Sequence, residues 1–400
     1  MKGMDDKTLV SSLYRKYHDE LFSDVIPFWL DHSLDKKCGG YCSCIDYDGT
    51  VFDTDKYAWM QGREIFTFSK LCLLYGVREE WRDAAKLGVD FMLEHGKAPN
   101  GDYYFALDRS GKPLVQPYNI FSDCFLCIGF ADYSRIAETK AESEKAKAEA
   151  LRLYARIEER KGNPKGIWSK QVPGGRDLQM MSIPMIEAML ALELQGFLGP
   201  EVVKQKSDEV MRLFLSRHVD RNLQCVFERV KPDGSHMFDV MEGRLLNPGH
   251  ALEILWFLMT IAEKEHDTAR VEDLAQIMLW CVDRGWDEKY GGIFYYRDYE
   301  NRPLDKFESD MKLWWVHAEA INAFLLAWKL TGKQVYKDWF LKIDEWSWSH
   351  FPDHERGEWY GYLSREGEVA STLKGGKWKG FFHLPRMLYT CSGWLKEMEE

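Results

Sequence analysis

The sequence predicts an all-α fold: an (α/α)6 barrel of twelve helices in two concentric rings, with short β-hairpin loops at the mouth, formed by one domain over 1–400. Two observations predict it. A unit of amphipathic helix, aromatic turn segment and apolar helix recurs six times. The aromatic segments begin at Gly39, Gly101, Gly166, Cys225, Gly291 and Gly357, spaced 62, 65, 59, 66 and 66 residues apart, and such regularity marks a repeat architecture. The second observation is that the helices alternate in character. Helices with one wet face can hide their stripe only against neighbours, and helices apolar all round must be buried. Six of each describe a ring inside a ring.

In chain order, the first repeat places a polar-faced helix over 9–32, an aromatic segment from Gly39 and a buried helix over 64–75. The later polar-faced helices are expected at 80–95, 138–161, 201–219, 270–285 and 334–351, with apolar residues recurring at three and four, as in Val210, Leu213 and Phe214. The later buried helices are expected at 124–137, 185–196, 251–262, 318–330 and 384–398. Within the aromatic segments, turn pairs such as Asp48-Gly49, Ser110-Gly111, Asp233-Gly234 and Glu366-Gly367 lie between aromatic and β-branched residues, the pattern of short hairpins. An open solenoid would need polar terminal caps. The first and last helices are amphipathic or apolar, which favours closure.

With 45% apolar and 14% aromatic residues the chain can bury a large core, and 16 Trp and 19 Tyr leave aromatics to spare for stacking on sugar rings. A net charge of −11 argues against nucleic acid and anionic membrane as partners, since both need a basic face. Residues 1–10 carry no apolar signal core, and the longest apolar stretch, 251–262, is interrupted by Glu253 and too short to span a bilayer. A soluble, cytoplasmic protein is expected. Nine cysteines do not read as a disulfide framework. Cys124 and Cys127 read as buried thiols, and no His/Cys/carboxylate spacing calls for a metal.

In such a barrel the hairpins and the N-termini of the inner helices share one end, so residues at inner-helix starts form a ring. Arg63, His250, His317, His383 and Arg386 come from four repeats and converge there. His250, His317 and His383 stand 67 and 66 residues apart, which places three histidines at one repeat position. A histidine at a helix N-terminus sits in the positive end of the macrodipole and stays neutral near pH 7. Two such bases can take a proton from one face of a carbon and return it to the other, if an adjacent carbonyl acidifies the proton. Arg63 is placed to stabilise the oxyanion. Glu253, one turn after His250, can orient it or bond a sugar hydroxyl. Trp315, His317, Glu319 and Arg386 complete the candidate substrate-binding set. Plainer roles stand beside these: Arg63 pairing with Asp53 or Asp55, Glu253 pairing with Arg244, and Trp314 and Trp315 as partly core.

The stretches DKYAWMQGRE (55–64), IFSDCF (120–125), NPGHALE (247–253), GWDEKYGGIFYY (285–296), MKLWWVHAEA (311–320), GEWYGYLSREG (357–367) and KGGKWKGFFHLPR (374–386) resemble the N-acylglucosamine 2-epimerase, or renin-binding protein, family. The resemblance covers every repeat but the third. It implies His250 and His383 as the two catalytic bases, with Arg63 and Glu253 in support. It also implies interconversion of N-acetylglucosamine and N-acetylmannosamine by proton exchange at C2 of the open-chain sugar.

Relatives that epimerise cellobiose or isomerise mannose carry a further histidine in the third repeat, where this chain reads Met180-Met181-Ser182-Ile183-Pro184-Met185. That favours the N-acyl sugar branch. Some relatives carry a cysteine where this chain has Phe381. The family also implies a homodimer and ATP as an allosteric activator rather than a cofactor; no GxxxxGK[ST] loop is present. Three alternatives remain open: an aldose–ketose isomerase or other sugar 2-epimerase on the same barrel, a glycoside hydrolase using carboxylates such as Asp123 and Glu319, and a non-catalytic sugar- or protein-binding relative.

Overall fold

The computed structural model describes residues 5–166, 169–170, 172 and 175–400. Residues 1–4 of the amino-terminal stretch, and 167–168, 171 and 173–174 of the third aromatic segment, lie outside the described residues. The chain builds α1 (Asp6–Glu20), a π-helical turn (Leu21–Val25), α2 (Ile26–His32), α3 (Ala58–Tyr75), α4 (Glu79–His95), α5 (Ile120–Ser134) and α6 (Lys140–Arg160). It continues through α7 (Ser182–Glu193), α8 (Pro200–Leu213), the short α9 (Met241–Arg244), α10 (Pro248–Lys264), α11 (Thr268–Gly285), α12 (Trp314–Thr331), α13 (Gln334–His350) and α14 (His383–Glu399). The inner ring is α3, α5, α7, α10, α12 and α14.

Burial follows the predicted alternation. In α12 every residue from Trp314 to Trp328 is buried, whereas α8 buries Ser207 and Val210 and leaves its other faces wet. The first outer helix is not continuous, because Pro27 lacks an N–H and its ring would meet the carbonyl four residues back. The wider π turn at Leu21–Val25 accommodates it. Inner helices begin earlier than expected, α3 at Ala58 and α12 at Trp314, because short rim strands run straight into them through the extended caps Tyr57 and Leu313.

Those rim strands are the part of the fold the turn pairs did not reveal. Each pairs with the hairpin of the following repeat: Lys56–Tyr57 with Ala106–Leu107, Gln179–Met180 with Arg229–Val230, Leu245–Leu246 with Arg297–Asp298, and Lys312–Leu313 with Tyr362–Leu363. Two copies of one ion cluster rivet this rim. Asp35 takes Lys56 at 3.0 Å and Arg109 at 2.9 Å, and Asp287 takes Lys312 at 3.2 Å and Arg365 at 2.8 Å. Burial pushes both carboxyls up, but the facing cations hold them well below the usual range.

The ring closes rather than ending in caps. The N–H groups of Lys374 and Gly375 donate to Ile45 O at 3.0 Å, Thr67 Oγ1 donates to Phe381 O at 2.6 Å, and Lys16 and Tyr17 of α1 bond Asp344 of α13 at 2.6 and 2.7 Å. One apolar cluster runs from Leu9 to Leu395. All nine cysteines are free, with Cys124 and Cys127 buried. Among the described residues no helix is long and apolar enough to cross a membrane.

Candidate active site

The caps of the inner helices decide which side chains face the barrel axis. Arg63, Glu253 and Glu319 each stand six residues past their caps, Tyr57, Asn247 and Leu313, so all three lie on the same face of the second turn. Around them α14 contributes His383 and Arg386. The Arg386 guanidinium donates to Glu253 Oε1 and, at 2.7 Å, to Glu319 Oε1. Glu319 also accepts from Trp256 Nε1 at 2.8 Å, and its Oε1 lies 2.8 Å from His383 Nδ1.

That arrangement assigns the tautomer of His383: Nδ1 carries the proton toward Glu319, leaving the Nε2 lone pair free. Burial pushes its pKa down and Glu253 pulls it back, but Arg386, Arg63 and His250 add to burial, so it stays well below the ordinary histidine value. His250 differs. Its backbone N–H is capped by Asn247 Oδ1 at 3.2 Å, and its Nδ1 faces Glu228 Oε2 and Oε1 at 3.1 and 3.2 Å. Burial pulls the His250 pKa down, yet the charge and hydrogen bond of Glu228, with Glu253, raise it above the ordinary value. At His250 the Glu228 carboxylate therefore acts against the helix dipole, whereas at His383 burial acts with it.

Trp315 joins the two histidines, its ring centroid 5.3 Å from that of His250 and 5.7 Å from that of His383. Gly249 lets it lie there, since a Cβ at that position would come within 2.7 Å of the indole. Arg63 is caged by rings, 4.1 Å over Phe125, 5.0 Å over Phe382 and 5.4 Å over Trp59. Among the described residues no carboxylate is within ion-pair distance of it, so the pairing with Asp53 or Asp55 does not form. Burial lowers its pKa to about 9, against the pull of Glu253. Among the described residues the buried donors Arg63 Nε, Arg386 Nε, Trp59 Nε1 and Trp314 Nε1 have no hydrogen-bond partner.

His317 does not join this group. It is fully buried on the outer side of α12, stacked 4.7 Å from Trp346, with Nδ1 2.8 Å from Leu313 O and Nε2 accepting from Ile293 N–H at 2.9 Å. Both nitrogens are spent inside the protein, and burial depresses its pKa to about 3. The expected substrate-binding role is corrected on helix geometry: at 100° per residue, a side chain two positions before Glu319 lies roughly 200° away around the helix. The three histidines also do not share one structural position, standing three, four and one residues past Asn247, Leu313 and Phe382.

Glu253 pairs with Arg386 rather than Arg244, which bonds Asp298 at 2.9 Å. Glu228 and Trp256 were not anticipated from the sequence. The signal for Glu228 is a carboxylate in the apolar run Cys225-Val226-Phe227; for Trp256 it is the indole three residues, or one turn, beyond Glu253. Ligand atoms of Glu253, Glu319 and His383 lie within 4.8 Å of one another, a spacing that suits a metal. The Arg386 guanidinium already supplies the positive charge between the two carboxylates.

Residues 40–386 match the model of the N-acylglucosamine 2-epimerase (GlcNAc 2-epimerase) family. The chain is 35% identical over 384 residues to N-acylglucosamine 2-epimerase of Bos taurus, covering 94% of this chain and 89% of that one. Among solved structures, cellobiose 2-epimerase of Bacillus thermoamylovorans superimposes with a TM-score of 0.80 at 19% identity, covering 97% and 100% of the two chains. A D-mannose isomerase does so with 0.78 at 18%, covering 99% and 100%. At such identities the structures speak for the barrel alone, while the sequence match speaks for the chemistry: the chain belongs to the N-acylglucosamine 2-epimerase family and is an isomerase that epimerises carbohydrate.

Proposed function

We propose that the chain interconverts N-acetylglucosamine and N-acetylmannosamine by two-base proton exchange at C2 of the open-chain sugar, with His250 and His383 as the bases. The observation that carries this reading is the pair of imidazoles against one indole, each with Nδ1 turned to its own carboxylate. Both Nε2 atoms are thereby left for substrate. In this reading Arg63, whose guanidinium has no carboxylate partner, meets the oxyanion as the C2 proton leaves. Trp315 stacks on the sugar, and Glu253, Glu319 and Arg386 form the wall that orients His383. His317 has no part in it.

A hydrolase reading on Asp123 and Glu319 is disfavoured because Arg160 pairs with Asp123 at 2.6 Å and Arg386 with Glu319 at 2.7 Å, so both carboxylates are engaged inside the protein rather than flanking a glycosidic bond. As part of the same proposal, residues 1–400 act as one domain, ATP is an activator rather than a participant, two copies associate, and the setting is cytoplasmic. The family resemblance supports the activator and the pairing of copies, and the sixfold repeat supports the single domain.

The test is turnover of N-acetylmannosamine in heavy water, followed by NMR. Deuterium at C2 of the N-acetylglucosamine product is expected. Product without label, or a ketose product, refutes the two-base epimerisation. Adding ATP to the same assay and measuring mass by sedimentation test the effector and the dimer.

A further inference from the structure

The rim register isolates one residue. In the four rim pairings, the hairpin residue just before the pair that faces the inner-helix strand is Phe105, Glu228, Tyr296 and Gly361. Three repeats place an aromatic ring or no side chain there; the fourth places a carboxylate. Its backbone is held as firmly as its counterparts. Met181 N–H donates to Glu228 O at 2.9 Å, as Ala58 does to Phe105 and Trp314 to Gly361, and Glu228 N–H donates to Leu245 O at 3.0 Å. The side chain is 8% exposed, and among the described residues its one ion-pair partner is His250. Glu319 serves His383 differently, since its charge is shared with Arg386 and Trp256.

We propose that Glu228 is the positioning residue of His250, holding the ring with Nδ1–H toward the carboxylate and Nε2 toward the sugar. It also makes His250 the member of the pair that carries the proton in the free enzyme. This rests on the epimerase reading above. One proton is then shared by two bases whose carboxylates differ in free charge. His383 is poised to accept the C2 proton as a neutral base, while His250 is poised to donate to the opposite face. For the reverse reaction that single proton must first pass from His250 to His383, so both directions depend on the same once-protonated pair and share one bell-shaped profile.

The groups facing His250 are Glu228 from the fourth hairpin, Glu253 on its own helix and His383 from α14, while Tyr295 and Tyr296 of the fifth hairpin face Glu228. Removing the Glu228 charge therefore leaves Glu253 as the only carboxylate in that set, and the proton on the pair is held less tightly.

The experiment compares the parent with Glu228→Gln and Glu228→Asp, reading kcat, KM, the pH profile and the ring titration of His250 by NMR. Glu228→Gln is expected to lower kcat on the order of 10²-fold with KM little changed. Its basic limb should move to lower pH, because the upward pull on His250 lapses with the Glu228 charge. Glu228→Asp should restore part of both. An unchanged limb, or a His250 ring that titrates alike in parent and Glu228→Gln, overturns the proposal. Should Glu228→Gln fail to fold, the parent titration still decides: His250 titrating below a free histidine overturns it. A parent inactive on the sugar defeats the functional reading instead, and the NMR titration then judges Glu228 alone.

Discussion

Replacing Glu319 by Gln tests how the site assigns its base. Three donors converge on two oxygens: Arg386 at 2.7 Å and His383 Nδ1 at 2.8 Å on Oε1, and Trp256 Nε1 at 2.8 Å on Oε2. An amide offers one acceptor oxygen and one NH2, so either orientation sets donor against donor. With the oxygen toward His383, the indole N–H is left unpaired in the interior, which costs about 1–3 kcal/mol. The charge-assisted bond to His383 weakens by a similar amount. With the NH2 toward His383, the ring must present the Nδ1 lone pair, and Nε2 then carries a proton where a base is needed. A wrong tautomer in a comparable carboxylate–histidine pair costs about 10⁴ in kcat, and loss of orientation alone at 1.5–3 kcal/mol amounts to about 10–150-fold. Glu319→Gln should therefore lower kcat by about 10- to 10⁴-fold, measured by NMR of the epimerisation, with KM changed by less than about threefold. Solvent exchange at C2 of one epimer should survive through His250. A variant that turns over within about threefold of the parent would refute the assignment of His383 as a base tuned by Glu319.

In the first repeat, Gln61 clamps Tyr41 through two 2.9 Å bonds, four residues past its cap, as His317 clamps Ile293. His317→Gln should thus fold and keep kcat within about twofold, whereas His317→Ala lowers Tm; a large kcat loss in a folded His317→Gln would reinstate the ring in the site. Because the folded His317 value lies near 3 against 6.5 for a free ring, its contribution to stability is present above about pH 6.5 and lost as pH falls toward 3, and His317→Gln should flatten that limb in pH-dependent melts. Glu64 is fully buried with neither oxygen partnered, the Ser33 hydroxyl being donated to Trp29 O, and burial pushes its carboxyl up to about 8 from 4.5. Folding then loses stability as pH rises through that window, so Glu64→Gln should gain at most about 5 kcal/mol near the alkaline end and little at the acid end; an equal shift at both ends contradicts the buried acid. Arg63→Lys exchanges a planar cation over Phe125 for a point charge and should lower kcat/KM on the order of 10²-fold without moving Tm; parent-like kcat/KM would show that Arg63 is packing alone.

The ring architecture was legible because it is written in burial. Six wet-faced and six apolar helices at a fixed spacing leave few other ways to hide their stripes. Helix starts were misplaced by up to six residues because short polar-apolar rim strands such as Lys56–Tyr57 carry no alternating pattern long enough to read. Most of the site was also legible, since Arg63, His250, Glu253, Trp315, Glu319, His383 and Arg386 all meet. What failed was the inference that equal sequence spacing means equal orientation. Pro248 and the cap Asn247 start α10 one residue later relative to its rim strand than Trp314 starts α12. That offset turns His250 inward and His317 outward, although both stand four residues after the strand. A helical wheel would have excluded His317 once Trp315 and Glu319 were placed on one face. Glu228 lay beyond reach because its neighbour is brought to it by pairing between repeats.

What repeats in this molecule is structural, and what does not repeat is chemical. The Asp–Lys–Arg rivet occurs at Asp35 and again at Asp287, and the clamp on the hairpin root is Gln61 in one repeat and His317 in another. These tie each hairpin to its neighbour and so hold the mouth in one shape. The reactive residues stand where a repeat departs from that pattern: a shifted cap before His250, a carboxylate at the register of Phe105, and an inner helix, α14, entered without a rim strand and led by His383 itself. A closed ring can carry such departures because the stability of each repeat rests on two neighbours, whereas a side chain aimed at the axis is judged by its distance to the opposite wall. His250 and His383 come from the fourth and sixth repeats, with Trp315 of the fifth between them. In the proposed mechanism neighbouring repeats therefore supply base, platform and base in turn, and a change in the cap of any one of the three helices would alter the span between the two imidazoles.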